Sequence, residues 1–253
     1  MKLFPLLSLT VACAVAPIAS ALADTPSAPV AAAPAAAAQN TLSAAETAAG
    51  WKLLFNGKDA SGWRSLSKKT FPAKGWEIKG GVLTVLAKGR GGDIITEEKY
   101  SSFELVLDFR FAPGANSGIK YFIQGKGKNA GVAPEFQVLD DLRHPDAKLG
   151  KNGNRTIGSL YDLIPADKNK PAGTPDVWHN ARIVVRGARV EHWLDGIKVV
   201  EFDRRSEAFR ALVKQSKYKK VENFGEWENG HILLQDHGDR VSYRNIKIRE
   251  IKD

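Results

Sequence analysis

Beyond residue 43 nearly every segment alternates apolar and polar side chains over five to nine positions and then meets Gly, Pro, Asn or Asp. A period of two held in run after run specifies antiparallel strands and leaves little room for any other architecture. The clearest run is residues 103–111, where Phe103, Leu105, Leu107, Phe109 and Phe111 share one face and Glu104, Asp108 and Arg110 the other. One face is buried and the other wet. Hairpins show where Gly80-Gly81 and Asp195-Gly196 separate such runs. About a dozen strands, one helical piece over residues 206–213 and no fixed-period repeat predict an all-β sandwich of two antiparallel sheets, about six strands each. A curved pair of sheets also presents a concave outer face. The long irregular stretches 125–134, 140–156, 165–176 and 204–230 are candidate walls of a site on it.

Composition narrows the class of function. With 43% hydrophobic and 26% charged residues the chain can bury a core, which excludes general disorder. The net charge of +9 is scattered among acidic residues rather than gathered into a tract, which argues against nucleic acid as a partner. The single cysteine, Cys13, lies in an N-terminal targeting stretch, so disulfides, thiolate metal clusters and a cysteine nucleophile are excluded. Chemistry falls to oxygen and imidazole groups. Residues 1–23 have the short positive start, apolar stretch and Ala21-Leu22-Ala23 ending of a secretory signal peptide. The expected location is periplasmic or secreted, with lipid attachment at Cys13 as the alternative. Pro5 and Pro17 interrupt the apolar stretch, so the mature chain is expected to have no transmembrane span. Residues 24–43 read as an Ala/Pro tether and 44–253 as the folded domain; nothing in the chain specifies an oligomeric state.

Four segments carry polar side chains that a two-sided strand does not need. They are Asn116-Ser117-Gly118-Ile119-Lys120, Glu135-Phe136-Gln137-Val138-Leu139-Asp140-Asp141 with His144 beyond, Gly158-Ser159-Leu160-Tyr161-Asp162, and His231 to Gly238 with Gln235 and His237. Period two sets Glu135 and Gln137 together, opposite Phe136 and Val138. For Glu135, Asp140, Asp141 and His144 two readings stand: acid/base groups or an oxygen-rich divalent metal site, and a solvated strand end whose Asp residues cap a loop. His192, alternating with Val190 and Leu194, reads as structural. The lysines 214, 217, 219 and 220 read most simply as a solvated loop, with Tyr218 the one stacking ring nearby.

These strings, with Leu54-Phe55-Asn56-Gly57-Lys58-Asp59, Glu191-His192-Trp193-Leu194-Asp195-Gly196 and Arg244-Asn245-Ile246-Lys247-Ile248, together resemble the 3-keto-disaccharide hydrolase family, in the expected order over residues 51–251. The resemblance implies a concanavalin A-like jelly-roll β-sandwich, a secreted or periplasmic setting, and an oxidised (3-keto) glycoside as substrate. Glu135, Gln137 and Asp140 also sit at the offsets of the Glu, Asp and Glu of laminarinase-like jelly-roll glycosidases. Gln137 breaks that pattern, because an amide cannot relay a proton between two carboxylates, and ordinary double displacement is disfavoured.

The chemistry implied is elimination: a ketone at C3 acidifies the C2 proton, a base removes it, the C1 aglycone leaves, and water adds to the glucal. The expected acid and base are His237 and Glu135, in either order, with Asp140 a third candidate. Asp140, Asp141 and His144 would hold a divalent cation or orient the sugar. Lys120, Gln137, Tyr161, Arg182 and Gln235 would bind hydroxyls. The rival is a non-catalytic envelope carbohydrate-binding module using the same polar face.

Overall fold

A computed structural model of the chain describes residues 39–252. The signal peptide, the lipid site at Cys13 and the tether up to residue 38 lie outside the described residues. Among those described, no helix is long and apolar enough to cross a membrane.

The elements in chain order are α1 (Ala44–Ala48), β1 (Lys52–Leu53), β2 (Trp63–Ser65), β3 (Trp76–Lys79), β4 (Val82–Val85), β5 (Ile94–Thr96), β6 (Phe103–Phe111), β7 (Asn116–Ile123), β8 (Glu135–Leu139), β9 (His179–Arg186), β10 (Arg189–Leu194), β11 (Ile197–Asp203), α2 (Glu207–Gln215), β12 (His231–Leu234) and β13 (Val241–Glu250). All pairings given for the strands are antiparallel, and they form two sheets. The larger runs β11-β10-β9-β6-β13-β4-β3, with β1 added beside β13; the smaller runs β2-β5-β12-β7-β8. The sandwich is thus eight strands against five rather than six against six. The Gly80-Gly81 and Asp195-Gly196 hairpins form as the sequence predicts, all four residues taking the left-handed φ that a tight two-residue turn requires.

The core lies between the sheets. Phe103, Leu105, Leu107 and Phe109 of β6 are all buried, and their rings meet the small sheet edge-on, Phe103 against Tyr121 at 6.4 Å and Phe109 against Phe136 at 6.3 Å. Each such ring taken out of water stabilises the fold by about 2 kcal/mol. His192 belongs to the same layer. It is fully buried, hydrogen-bonded to the Tyr121 hydroxyl at 2.9 Å, and burial holds its imidazole neutral with a pKa lowered to about 4. The helical piece expected over residues 206–213 forms as α2, capped by Ser206, which accepts from the Phe209 amide. Asn40, assigned to the tether by composition, is buried and exchanges two hydrogen bonds with Asn245 at 2.7 and 2.8 Å, so the folded unit begins before residue 44.

Candidate active site

Strand β8 is buried along its whole length although it ends the small sheet. Phe136 and Val138 enter the core, while Glu135 and Gln137 face outward. Residues 158–161 hydrogen-bond to the free edge of β8: the Gln137 amide donates to Ser159, the Gly158 amide to Gln137, and the Tyr161 amide to Glu135. That pairing satisfies the edge that would otherwise be open and sets Tyr161 beside Glu135. On its other edge β8 meets β7 with Lys120 opposite Glu135 and Gly118 opposite Gln137.

The result is a cavity of about 140 Å³ on the outer face of the small sheet. Cavities of roughly 150 Å³ hold one six-membered ring. Of the residues singled out in the sequence, Lys120, Glu135, Gln137, Tyr161, Gln235 and His237 line it together. Glu135 and Gln137 are 5% and 1% exposed, whereas His237 is exposed and therefore stands at the mouth. The Lys120 ammonium lies 3.6 Å from Glu135 Oε2. Burial pushes the Glu135 carboxyl above the usual carboxylate range, and Lys120 and Lys217 draw it only part of the way back. Both amide atoms of Gln137 lack a hydrogen-bond partner. An unsatisfied buried polar group costs about 1–3 kcal/mol, so this amide is a donor and an acceptor held ready for a polar ligand.

Glycine at 118 is a requirement of this geometry. A Cβ there would run into Glu135 Oε1, so the carboxylate lies where only a bare backbone lets it lie. Gly118→Ala is expected to displace the carboxylate and lower kcat/KM by roughly a hundredfold, the scale of a 1 Å misplacement, with the fold retained. Steady-state rates beside a melting curve check this, and an unchanged rate would remove Glu135's position from the mechanism.

Four of the residues expected at the site stand elsewhere. Arg182 lies on the outer face of the large sheet, bonded to the buried Glu104 and stacked over Trp193 at 4.8 Å. Asp140 is a loop cap. Burial would raise its pKa, yet amide bonds from Gly114, Leu142 and Arg143 and the Arg143 guanidinium hold it below the usual carboxylate range. Asp141 accepts from the Ile157 amide at 2.7 Å and from Lys170 at 2.5 Å. His144 caps the turn Pro145–Lys148 by accepting from the Asp146 amide, and its ring stands 6.2 Å from that of His237, outside the cavity wall. The oxygens of Asp140 and Asp141 are committed to separate amide and cation partners, and no three His, Cys, Asp or Glu side chains converge among the described residues. A cation held by Asp140, Asp141 and His144 does not fit this arrangement.

The structure also adds residues that the sequence reading left as background. Val132, Ala133, Lys217 and Tyr218 complete the wall, beside Asn116 of the first polar segment. Lys217 comes from a run read as solvated loop, and no local pattern separates it from Lys214, Lys219 and Lys220. Asp93 lies close enough to Lys120 to feel its charge; burial pushes its carboxyl up, and its Oδ1 accepts the Asp236 amide at 2.9 Å.

The domain as a whole resembles known proteins. A curated 3-keto-disaccharide hydrolase of Bacteroides thetaiotaomicron is 36% identical over 212 residues, 72% of either chain. A solved structure of a candidate glycosyl hydrolase from Parabacteroides distasonis superposes with a TM-score of 0.75 at 29% identity, covering 85% of this chain and all of the other. A second from the same organism gives 0.60 at 28%, covering 79% of this chain and 99% of that one. The model of the 3-keto-alpha-glucoside-1,2-lyase-like domain matches residues 50–249. The cavity-lining strands β7, β8 and β12 all fall within that span, and the chain belongs to the 3-keto-alpha-glucoside-1,2-lyase-like family.

Proposed function

We propose that the protein cleaves 3-keto-disaccharides, and 3-keto-glycosides more generally, by elimination followed by hydration. The observation that carries this reading is the placement of the buried, pKa-raised Glu135 beside the unpartnered Gln137 in a cavity sized for one sugar ring. With room for one ring, the keto sugar sits inside and its aglycone projects through the mouth, where His237 stands. Glu135, deep in the wall, is then the base that takes the C2 proton. His237 gives a proton to the C1 oxygen as the C1–O bond breaks. Water subsequently adds across the C1–C2 double bond, its hydroxyl to C1 and its proton to C2, so net hydrolysis results.

Lys120 keeps Glu135 ionised against the cost of burial, since an opposite charge within about 4–6 Å favours the carboxylate. Gln137, Asn116 and Gln235 offer amides to the ring hydroxyls. Two carboxyl groups flanking a glycosidic oxygen, which ordinary glycosidases need, are not what this wall presents: Glu135 is its one carboxylate. The binding-module reading, which uses the same polar face, finds less support, because that face is lined mostly by ionisable and amide side chains, and three tryptophans elsewhere each carry cations over their rings. Trp51 is covered by Lys247 and Arg249, Trp178 by Arg110 and Arg244, and Trp193 by Arg182 and Lys198.

The test is an assay of the purified domain with a 3-keto-disaccharide and its unoxidised parent, following release of both sugars. Cleavage of the keto substrate with the parent left intact is the expected result. Equal cleavage of both would sink elimination, and tight binding without turnover of either would hand the site to the binding-module reading.

A further inference from the structure

Resting on that reaction, the geometry points to Lys217 as the group that holds the negative charge developing on the C3 oxygen when the C2 proton leaves. Removing that proton shifts its electron pair into the C2–C3 bond and the carbonyl pair onto oxygen. The enolate so formed needs a fixed cation or donor, and such a group contributes most where its own charge is not already neutralised.

Two lysines line the cavity, and they are in different states. The Lys120 ammonium is committed, 3.6 Å from Glu135 Oε2 and within 3.4 Å of the Gly131 carbonyl. Lys217 has no carboxylate oxygen within ion-pair distance among the described residues. Its Nζ instead lies 4.0 Å from the centre of the Tyr161 ring and 5.2 Å from that of Tyr218. Aromatic faces attract an ammonium but accept no strong hydrogen bond, so its donors are unspent at the cavity wall. Although Lys217 as a whole is exposed, desolvation at the cavity wall depresses its pKa and the Glu135 carboxylate restores only part of the loss, which is the condition of a cation that gains from an arriving anion. The neighbouring hydroxyl of Tyr161 is not a competitor for the role, because it donates to Asp146 Oδ2 at 2.8 Å.

The position of Lys217 is built. Its backbone amide donates to Asp162 Oδ2 at 3.0 Å, and Asp162 takes a left-handed φ of 62° while the Arg155 guanidinium grips its other oxygen at 2.7 Å. The same guanidinium reaches Asp146 at 2.8 Å, the acceptor of the Tyr161 hydroxyl. One arginine thereby fixes both the ring under Lys217 and the backbone that carries it. Its three neighbours Lys214, Lys219 and Lys220 have no place in the cavity wall.

The experiment separates proton removal from departure of the aglycone. A 3-keto-1,5-anhydroglucitol has no aglycone to expel at C1, so its C2 hydrogen exchanges with deuterium oxide solvent through the enolate, and proton NMR follows the loss of the C2 signal. Wild type is expected to catalyse exchange. Lys217→Met should lose exchange and cleavage of the 3-keto-disaccharide together, by about 10²–10³-fold, the usual loss for one oxyanion donor. Lys217→Arg should recover part of both, and Lys219→Met should match wild type in both. Wild-type exchange in Lys217→Met with impaired cleavage would overturn the assignment and leave the elimination reading standing. An adduct on Lys217 trapped by cyanoborohydride would also overturn it, since the lysine would then act as an iminium-forming nucleophile. Cleavage of the keto substrate by wild type with no exchange in the analogue would overturn elimination itself, and the role of Lys217 with it.

Discussion

Glu135→Gln is expected to lower cleavage of a 3-keto-disaccharide by about 10³-fold or more while leaving the melting temperature at neutral pH unchanged or higher. The loss of rate follows from removing the base, a contribution of roughly 10²–10⁴ in rate. The stability side follows from the direction in which Glu135 is shifted. Burial raises its carboxyl above 4.5 in the folded protein, so the fold binds this proton more tightly than the unfolded chain does. Its contribution to stability is then fully present below the unfolded pKa and is lost as pH rises through the folded one. A glutamine, neutral throughout, escapes that loss. The advantage of the variant should accordingly shrink as pH falls towards 4.5 and vanish below it. The same shift places the acid limb of the wild-type kcat/KM profile above the usual carboxylate range, because Glu135 must be ionised to act. Melting curves of both proteins at several pH values, beside rates, check this; a variant several degrees less stable at neutral pH would mean that Lys120 binds the ionised carboxylate more strongly than burial opposes it.

What could be read from the chain divides by how local the cause is. The amphipathic run in β6 and the two glycine-containing hairpins are dictated by neighbours in sequence, and the structure has them where the pattern puts them. The uneven split of eight strands against five depends on pieces of two or three residues such as β1 and β5, too short to show alternation. In the site, Glu135 and Gln137 were visible because period two lifts them out of an apolar strand. Arg182 carries the same signature, yet its outward face belongs to the other sheet, and alternation alone does not say which outward face carries the cavity. Asp140, Asp141 and His144 cluster in sequence as ligands do, but their acceptors are taken by backbone amides, those of Leu142 and Asp146 in their own turns and that of Ile157 farther along the chain. Lys217 reaches the site from a loop distant in sequence, and only the closure of that loop over the small sheet distinguishes it from an ordinary surface charge.

Arg204 shows how that closure is secured, and its replacement is expected to lower both stability and substrate affinity. It is a fully buried guanidinium, 2% exposed, with no carboxylate in ion-pair reach among the described residues. Its Nε donates to the Gly187 carbonyl and its Nη1 to those of Gly225 and Trp227, all at 2.9 Å, while its plane covers the Phe122 ring at 4.4 Å. These bonds pin the far end of residues 204–230 back onto its root, and Lys217 and Tyr218 hang between the two pins. Arg204→Met fills similar space but orphans one buried and two half-buried carbonyls at about 1 kcal/mol each or less, which relief of the buried charge offsets in part. A net loss of about 1–2 kcal/mol lowers Tm by roughly 2–8 °C in a domain of this size. The loop should loosen before the fold does, so KM for the keto substrate is expected to rise at temperatures where the variant is still folded. Arg204→Lys, which keeps the charge but reaches fewer carbonyls, should fall between the two. A Tm within a degree of wild type together with an unchanged KM would show that the loop is held by its aromatic packing of Phe209, Tyr218 and Phe224 instead.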